Sequence, residues 1–192
     1  MVGNDIVDLK QAEIESNWQR KGFLNKVFTE KEQTLILNAN NSFKTVWQLW
    51  SMKESAYKIY EQQYGYRFFA PKKLKCKLLN KTDGVVDVNN EKYYTKSRIT
   101  ENYIYTIATL KYKSRLFDSC FRIERNEYAN QHQETYNQLK LEVSKRWKLP
   151  FQDLSIVKNK EGVPKLYQNE KKLAIDFSLT HHGNQGAFAV IN

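Results

Sequence analysis

The sequence has no apolar run near the ~20 residues that a bilayer span needs, and its mean hydropathy of −0.72 argues equally against a membrane protein. Proline is scarce, at three residues in 192, while apolar residues make up 41%, so a disordered chain is not expected. Only two cysteines occur, Cys76 and Cys120; they lack metal-ligand spacing and allow at most one disulfide. No secretory signal is expected, because Asp5 and Asp8 interrupt the opening residues. Reduced thiols in a cytoplasmic protein are the simpler expectation. Acidic residues are outnumbered, 21 against 31 basic ones, giving a net charge of +10. That field points to an anionic partner, and nucleic acid, an acidic protein and a polyphosphate all qualify. At this length the chain makes one substantial core or two small halves packed together.

Residues 2–9 read as a short strand running into a helix that reaches about residue 17. Thr29 with Glu32 three residues later has capping-box spacing, so a helix starts there and continues toward Asn38. The polar stretch 38–42 breaks it. From 44 to 62, Trp47, Trp50, Ala56, Tyr57 and Tyr60 mark a long, largely buried helix that Gly65 ends. Leu74, Cys76 and Leu78 then alternate with Lys73, Lys75 and Lys77, a half-buried strand whose lysine face reads as a solvated edge. Strands follow over 85–88, 93–99 and 103–110, with Asp83-Gly84 and Asn89-Asn90 at turns. A second helix spans 127–147 and stops before Pro150. Further strands are expected over 154–157, 164–167, 173–179 and 186–191. The chain thus reads twice as helix followed by strands, an α+β fold in two halves, 1–115 and 116–192, that pack closely because no Gly/Ser linker separates them.

Two short acidic words carry the chemistry: Gly3-Asn4-Asp5-Ile6-Val7-Asp8-Leu9 and Trp50-Ser51-Met52-Lys53-Glu54-Ser55-Ala56-Tyr57-Lys58. Asp5 lies in an apolar strand-like run and Glu54 in a strongly helical one, where a buried carboxylate is costly unless paired or metal-bound. Two hard oxygen donors from separate elements suit Mg²⁺ held against a phosphate. Lys58, four residues after Glu54, shares its helix face. The plain alternative for that pair is a surface ion pair worth about 0.3–0.5 kcal/mol. Asp8 has two readings, a third ligand or support for the others, and an acid that opens the next helix.

Together these words resemble the 4′-phosphopantetheinyl transferase superfamily. The first is similar to the family's Gly-x-Asp-Ile-x-Asp/Glu word, and residues 23–32 resemble the segment after it in holo-acyl-carrier-protein synthases. Residues 50–58 match the Trp-x-x-Lys-Glu-x-x-x-Lys signature. Gly162-Val163-Pro164-Lys165-Leu166 and Phe177-Ser178-Leu179-Thr180-His181-His182-Gly183 resemble the Gly-Lys-Pro and Asn-x-Ser-His-Ser words. In the longer, surfactin-synthetase-activating type the Pro and Ser-His words come first. Here they come last, as in the short synthases, which hold one α/β unit and assemble as trimers. Two apparent units in one chain imply a monomeric pseudo-dimer with its halves swapped in order, the active site lying between them.

The resemblance implies transfer of 4′-phosphopantetheine from coenzyme A to a serine of an acyl or peptidyl carrier protein, releasing adenosine 3′,5′-bisphosphate. Mg²⁺ would be held by Asp5 and Glu54, with Asp8 as the open third position. Glu54, or a water held beside it by the metal, would take the serine proton, and Lys58 would reach the diphosphate. His181 matches the family histidine that contacts the 3′-phosphate of coenzyme A; the alternative is a hydrogen-bonded histidine at a strand end, with His182 leaving the register ambiguous. Thr180 stands at a family serine, Ser178 at an asparagine, and Val163 at the lysine of Gly-Lys-Pro, for which Lys165 is the expected substitute. Arg67 and Lys53 are further candidate coenzyme A contacts. Lys10, Arg20, Lys21 and Lys26 would meet an acidic carrier protein at the rim, mainly raising the association rate. Two other readings stand beside this one. A catalytically weak binder of coenzyme A or carrier protein would account for Val163 and Ser178. A basic nucleic-acid-binding module would account for the charge but gives Asp5 and Glu54 no purpose.

Overall fold

The computed structural model describes residues 1–65, 70–112, 114–124 and 127–191. It is a mixed α/β structure in which every strand pairing is antiparallel. Strand β1 (Val2–Asp8) leads into helix α1 (Leu9–Glu15), then α2 (Phe23–Val27), α3 (Glu30–Leu37) and the 23-residue α4 (Ser42–Tyr64). Strands β2 (Lys75–Leu78), β3 (Asp83–Val88), β4 (Glu91–Ile99) and β5 (Tyr103–Thr109) complete a five-stranded sheet in the order β1-β5-β4-β3-β2. Then come β6 (Leu116–Arg122), helix α5 (Tyr128–Trp147), β7 (Leu154–Lys158), β8 (Pro164–Gln168) and the short β9 (Lys171–Lys172). Strands β10 (Asp176–His182) and β11 (Gln185–Ile191) form a second sheet, β10-β11-β6, while β7-β8-β9 form a third. Among the described residues, no helix is long and apolar enough to cross a membrane.

The local signals explain most of these elements. Thr29 and Glu32 make the full reciprocal capping box at the start of α3. Asn41 caps α4 by accepting from Lys44 N–H at 2.9 Å, and Gly65, at φ 69°, gives α4 its left-handed stop. Asn89 and Asn90 take positive φ between β3 and β4, as a tight hairpin requires. Asp83-Gly84, expected at a turn, instead open β3. The turn lies just before, where Asn80 Oδ1 accepts from Thr82 N–H and Asp83 N–H at 2.9 and 2.7 Å. Residues 173–175 precede β10 rather than belonging to it, and β6 has no counterpart among the expected strands.

Helix α4 lays Val46, Leu49, Met52, Ala56 and Ile59 into the larger core. Its approach to β1 is close because residue 3 has no side chain: a Cβ there would collide with the Ser55 carbonyl oxygen. The helix is then pinned to β5, the strand next to β1 in the sheet. Ser51 Oγ lies 2.6 Å from Thr106 Oγ1, and Ser55 Oγ donates to Thr106 O at 2.9 Å. Thr106 faces Asp5 across the ladder, so these bonds set Glu54 and Lys58 beside Asp5. A smaller core forms where α5 packs Leu139 and Val143 against Leu166, Phe177, Phe188 and Val190.

Strand β1 is the outer strand of its sheet, and β10 seals its edge with side chains. Asn4 N–H donates to Ser178 Oγ at 3.0 Å, Ile6 N–H to Thr180 Oγ1 at 3.2 Å and Asp8 N–H to His182 Nδ1 at 3.0 Å. Ile6, Tyr105 and Ala187 fill the space behind this seam.

A buried ion pair braces α4 from its other side. Lys53 and Glu32, 1% and 2% exposed, meet with Lys53 Nζ 2.9 Å from both carboxylate oxygens. Lys53 also donates to Pro71 O and Leu74 O, while Glu32 accepts from Thr29 N–H and Cys76 N–H. Removing one partner leaves the other charge buried, so Lys53→Met should lower unfolding stability by about 3–5 kcal/mol, read from the urea midpoint at unchanged slope. A loss below about 1 kcal/mol would mean that Glu32 does not depend on this lysine.

Candidate active site

The seam between β1 and β10 opens at one end into a cleft of about 360 Å³. One wall carries Asp5 from β1 with Glu54 and Lys58 from α4. The other carries Thr180 and His181 from β10, with α5 and the β7–β8 turn at its far side.

Asp5 Oδ1 accepts from Thr180 Oγ1 at 3.2 Å, while Oδ2 is buried with no hydrogen-bond partner among the described residues. Burial pushes the Asp5 carboxyl up to about 7; Lys58 opposes the rise and Glu54 adds to it. Glu54 is raised from the ordinary value for the same first reason, burial, again opposed by Lys58 and reinforced by Glu61. Lys58 is held in place by backbone carbonyls, donating to Asn4 O at 2.7 Å and Leu179 O at 3.2 Å, with Asp5 Oδ1 at 3.9 Å. A partnerless buried carboxylate oxygen beside a second reluctant carboxylate fits a hard divalent cation, which would supply the charge both acids lack. Among the described residues no group of three or more acidic, histidine or cysteine side chains is placed to share a metal.

His181 meets the Tyr128 ring edge-on, with centroids 5.4 Å apart. Burial lowers it to about 4, helped by the positive charge of His132, Lys58, His182 and Lys158. At neutral pH it is therefore a neutral imidazole offering an N–H donor. His182 points the other way, accepting from Asp8 N–H through Nδ1 and lying 3.3 Å from Glu15 through Nε2. The register question between the two histidines is settled by strand alternation: His181 faces the cleft.

Three expected residues stand elsewhere. Asp8 caps α1, its Oδ1 accepting from Lys10 N–H and Gln11 N–H, and its Oδ2 from Asn184 N–H. That is the helix-opening role, and Asp8 is not among the residues that line the cleft. Lys53 cannot reach a ligand because its ammonium is enclosed by Glu32 and two carbonyls. Lys165 lies on β8 in a separate depression with Lys172 and Asp176. On the β7–β8 side of the cleft the lining lysine is Lys158, paired with Pro164 across the hairpin. Arg67 lies outside the described residues. The sequence reading also missed Tyr128, His132 and Tyr136, which line the cleft from α5; their spacing of one helical turn was the available signal.

The sequence model of the 4′-phosphopantetheinyl transferase superfamily matches residues 1–108, more than half of the chain. The chain belongs to that superfamily, which makes it a transferase of the phosphopantetheine class. Among solved structures it is similar to the Thermotoga maritima holo-[acyl-carrier-protein] synthase, at 12% identity and a TM-score of 0.45, covering 87% of this chain and 82% of that one. No curated protein sequence matches it.

The Asp5 environment sets a pH dependence. Unfolded, Asp5 ionises near 3.8; folded and metal-free, it keeps its proton to about 7. Metal-free stability should therefore fall as pH rises through this window and level off above it. Asp5→Asn should remove that fall, gaining up to roughly 4 kcal/mol near pH 8 at about 1.36 kcal/mol per pKa unit, and little below pH 4. Mg²⁺ should raise the melting temperature of the wild type near pH 8 but not that of Asp5→Asn. A variant with the wild-type pH profile would mean that another group carries the effect.

Proposed function

We propose that this protein transfers 4′-phosphopantetheine from coenzyme A to a serine of an acidic acyl or peptidyl carrier protein, with Mg²⁺, releasing adenosine 3′,5′-bisphosphate. The observation that carries this reading is the partnerless Asp5 Oδ2 beside Glu54 and Lys58, in one cleft with His181. An ordinary ion-paired surface would leave no buried carboxylate oxygen without a donor.

Mg²⁺, when bound between Asp5 and Glu54, supplies the positive charge that a diphosphate leaving group needs. Thr180 holds Asp5 through Oδ1 and so fixes the carboxylate beside Glu54. Lys58, already fixed by two carbonyls, can give its remaining proton to a diphosphate oxygen without losing side-chain freedom on binding. Glu54, raised by burial, is a stronger base than a solvated glutamate and takes the proton of the attacking serine hydroxyl. The serine oxygen forms the new bond to phosphorus as the phosphoanhydride bond to the bisphosphate breaks. The net charge of +10 favours an acidic partner, and Lys10, Arg20 and Lys21 stand exposed on and after α1 where one could be steered in.

We read the two halves, 1–115 and 116–192, as a pseudo-dimer that works as a cytoplasmic monomer. In each, a first strand leads to a long helix and the last two strands return beside the first: β1-β5-β4 with α4, and β6-β11-β10 with α5. Both cysteines are free thiols.

Incubation with apo carrier protein, coenzyme A and Mg²⁺ should add a phosphopantetheine mass to the carrier, and Glu54→Gln should slow this by about 100-fold or more. Coenzyme A binding with no mass gain on several carriers would favour a binding protein instead. Light scattering should give a particle near 22.8 kDa; a trimer would overturn the monomeric reading.

A further inference from the structure

Strands β1 and β10 seal each other's outer edges, but the other side of the second sheet has no such closure. Its outer strand, β6, is seven residues long and pairs with β11 along one edge. Among the described residues, the backbone groups of 116–122 that point away from β11 have no hydrogen-bond partner. The remaining outer strands, β2, β7 and β9, are four, five and two residues long, and β2 carries the protective lysines Lys75 and Lys77. Strand β6 holds neither proline nor lysine, and its register with β11 runs unbroken by a bulge. It is a long edge left open.

Leu116 and Asp118 of β6 form one wall of a trough of about 770 Å³. Its floor is the face of β4 and β5 that turns away from α4, with Tyr94, Lys96 and Ile107 upon it. Tyr112, 54% exposed, closes one end, its ring centroid 5.7 Å from that of Tyr94. No residue lines both this trough and the carboxylate cleft. The acids of the trough are matched: Asp118 meets Arg98 at 3.2 Å, and Asp83 lies opposite Lys96 in the ladder. The exposed charges beyond the two ends of β6 are mainly cationic. Lys111 and Arg115 precede the strand and Arg122 closes it, against Glu124 as the nearby acid.

We propose that the free edge of β6 and the trough beside it bind an extended segment of a partner protein, apolar at alternate residues and acidic at its ends. The segment adds a fourth strand to the β10-β11-β6 sheet. Main-chain hydrogen bonds to β6 supply the attraction, and the side chains select the sequence. Every second residue points the way Leu116 and Asp118 do, onto Tyr94 and Tyr112, where an apolar group fits. The acidic ends meet Lys111 and Arg115 at one side and Arg122 at the other. Alternating N–H and C=O groups complement another peptide backbone and not a polynucleotide. A second copy of this chain, itself at +10, would bring like charge to a basic rim.

Selection from a random ten-residue peptide library against the full chain tests this, followed by anisotropy of the enriched peptide carrying a fluorescent label. Enriched sequences should place apolar residues at alternate positions and Asp or Glu toward both ends. Tyr112→Ala should weaken the peptide by about 10-fold, as for a truncated aromatic anchor. Arg122→Glu should slow its association at low salt by about 3-fold or more. Both side chains are exposed, and unchanged thermal melting keeps the comparison free of folding defects. With the peptide bound, those amides of 116–122 that point away from β11 should exchange with solvent at least about 10-fold more slowly. Failure to enrich any peptide would overturn the proposal, as would peptides that bind both variants like the wild type. Unchanged exchange at 116–122, or displacement of the peptide by coenzyme A, would also overturn it by placing the peptide elsewhere. Protection of the same amides that grows with protein concentration, with no peptide present, would assign the edge to a second copy instead.

Discussion

An outer β-strand presents a row of backbone groups that must find partners, and the way β1 finds them organises this molecule. Its N–H groups at Asn4, Ile6 and Asp8 meet Ser178, Thr180 and His182, spaced by two along β10. Side chains replace the backbone acceptors of a ladder, so the two sheets join without merging. The strand period of two then decides the rest. Residues 178, 180 and 182 spend themselves on the seam, and His181 between 180 and 182 turns to the cleft. Asp5 alternates out of phase with the three donors and faces α4 and its Glu54.

Two pairs of charges in this protein illustrate opposite solutions to burial. Glu32 and Lys53 are fully enclosed, and their oxygens and protons are all used by each other and by neighbouring backbone. Among the described residues, Asp5 and Glu54 have Lys58 as the nearby cation, itself shared with two carbonyls. The first arrangement is complete and can do no chemistry. The second is incomplete, and that shortfall is what makes it receptive.

Much of this was legible from local patterns. Thr29 and Glu32 announced their capping box, and the spacing of Glu54 and Lys58 put both on one face of one helix. What escaped depended on long-range packing. Lys53 and Glu54 are neighbours in sequence, yet the helix sends one to a partner 21 residues earlier and the other to the cleft. Lys158 and Lys165 could be distinguished only by the register of the β7–β8 hairpin. Strand β6 mixes Asp118, Ser119 and Cys120 with Phe117 and Phe121, all partly buried, so no clean alternation marks it. His132 belongs to a helix whose cleft-facing stripe acquires meaning only once β10 lies opposite.

Thr180 holds one more consequence. Its hydroxyl receives a proton contact from the Ile6 N–H and gives its own proton to Asp5 Oδ1. Such a relay is cooperative: the more negative charge Asp5 holds, the better an acceptor the hydroxyl becomes for Ile6. Ionising Asp5 therefore tightens the joint between the sheets, and prying the sheets apart weakens the grip on its charge. By thermodynamic reciprocity, cohesion of the two sheets and the charge on Asp5 are a single linked equilibrium.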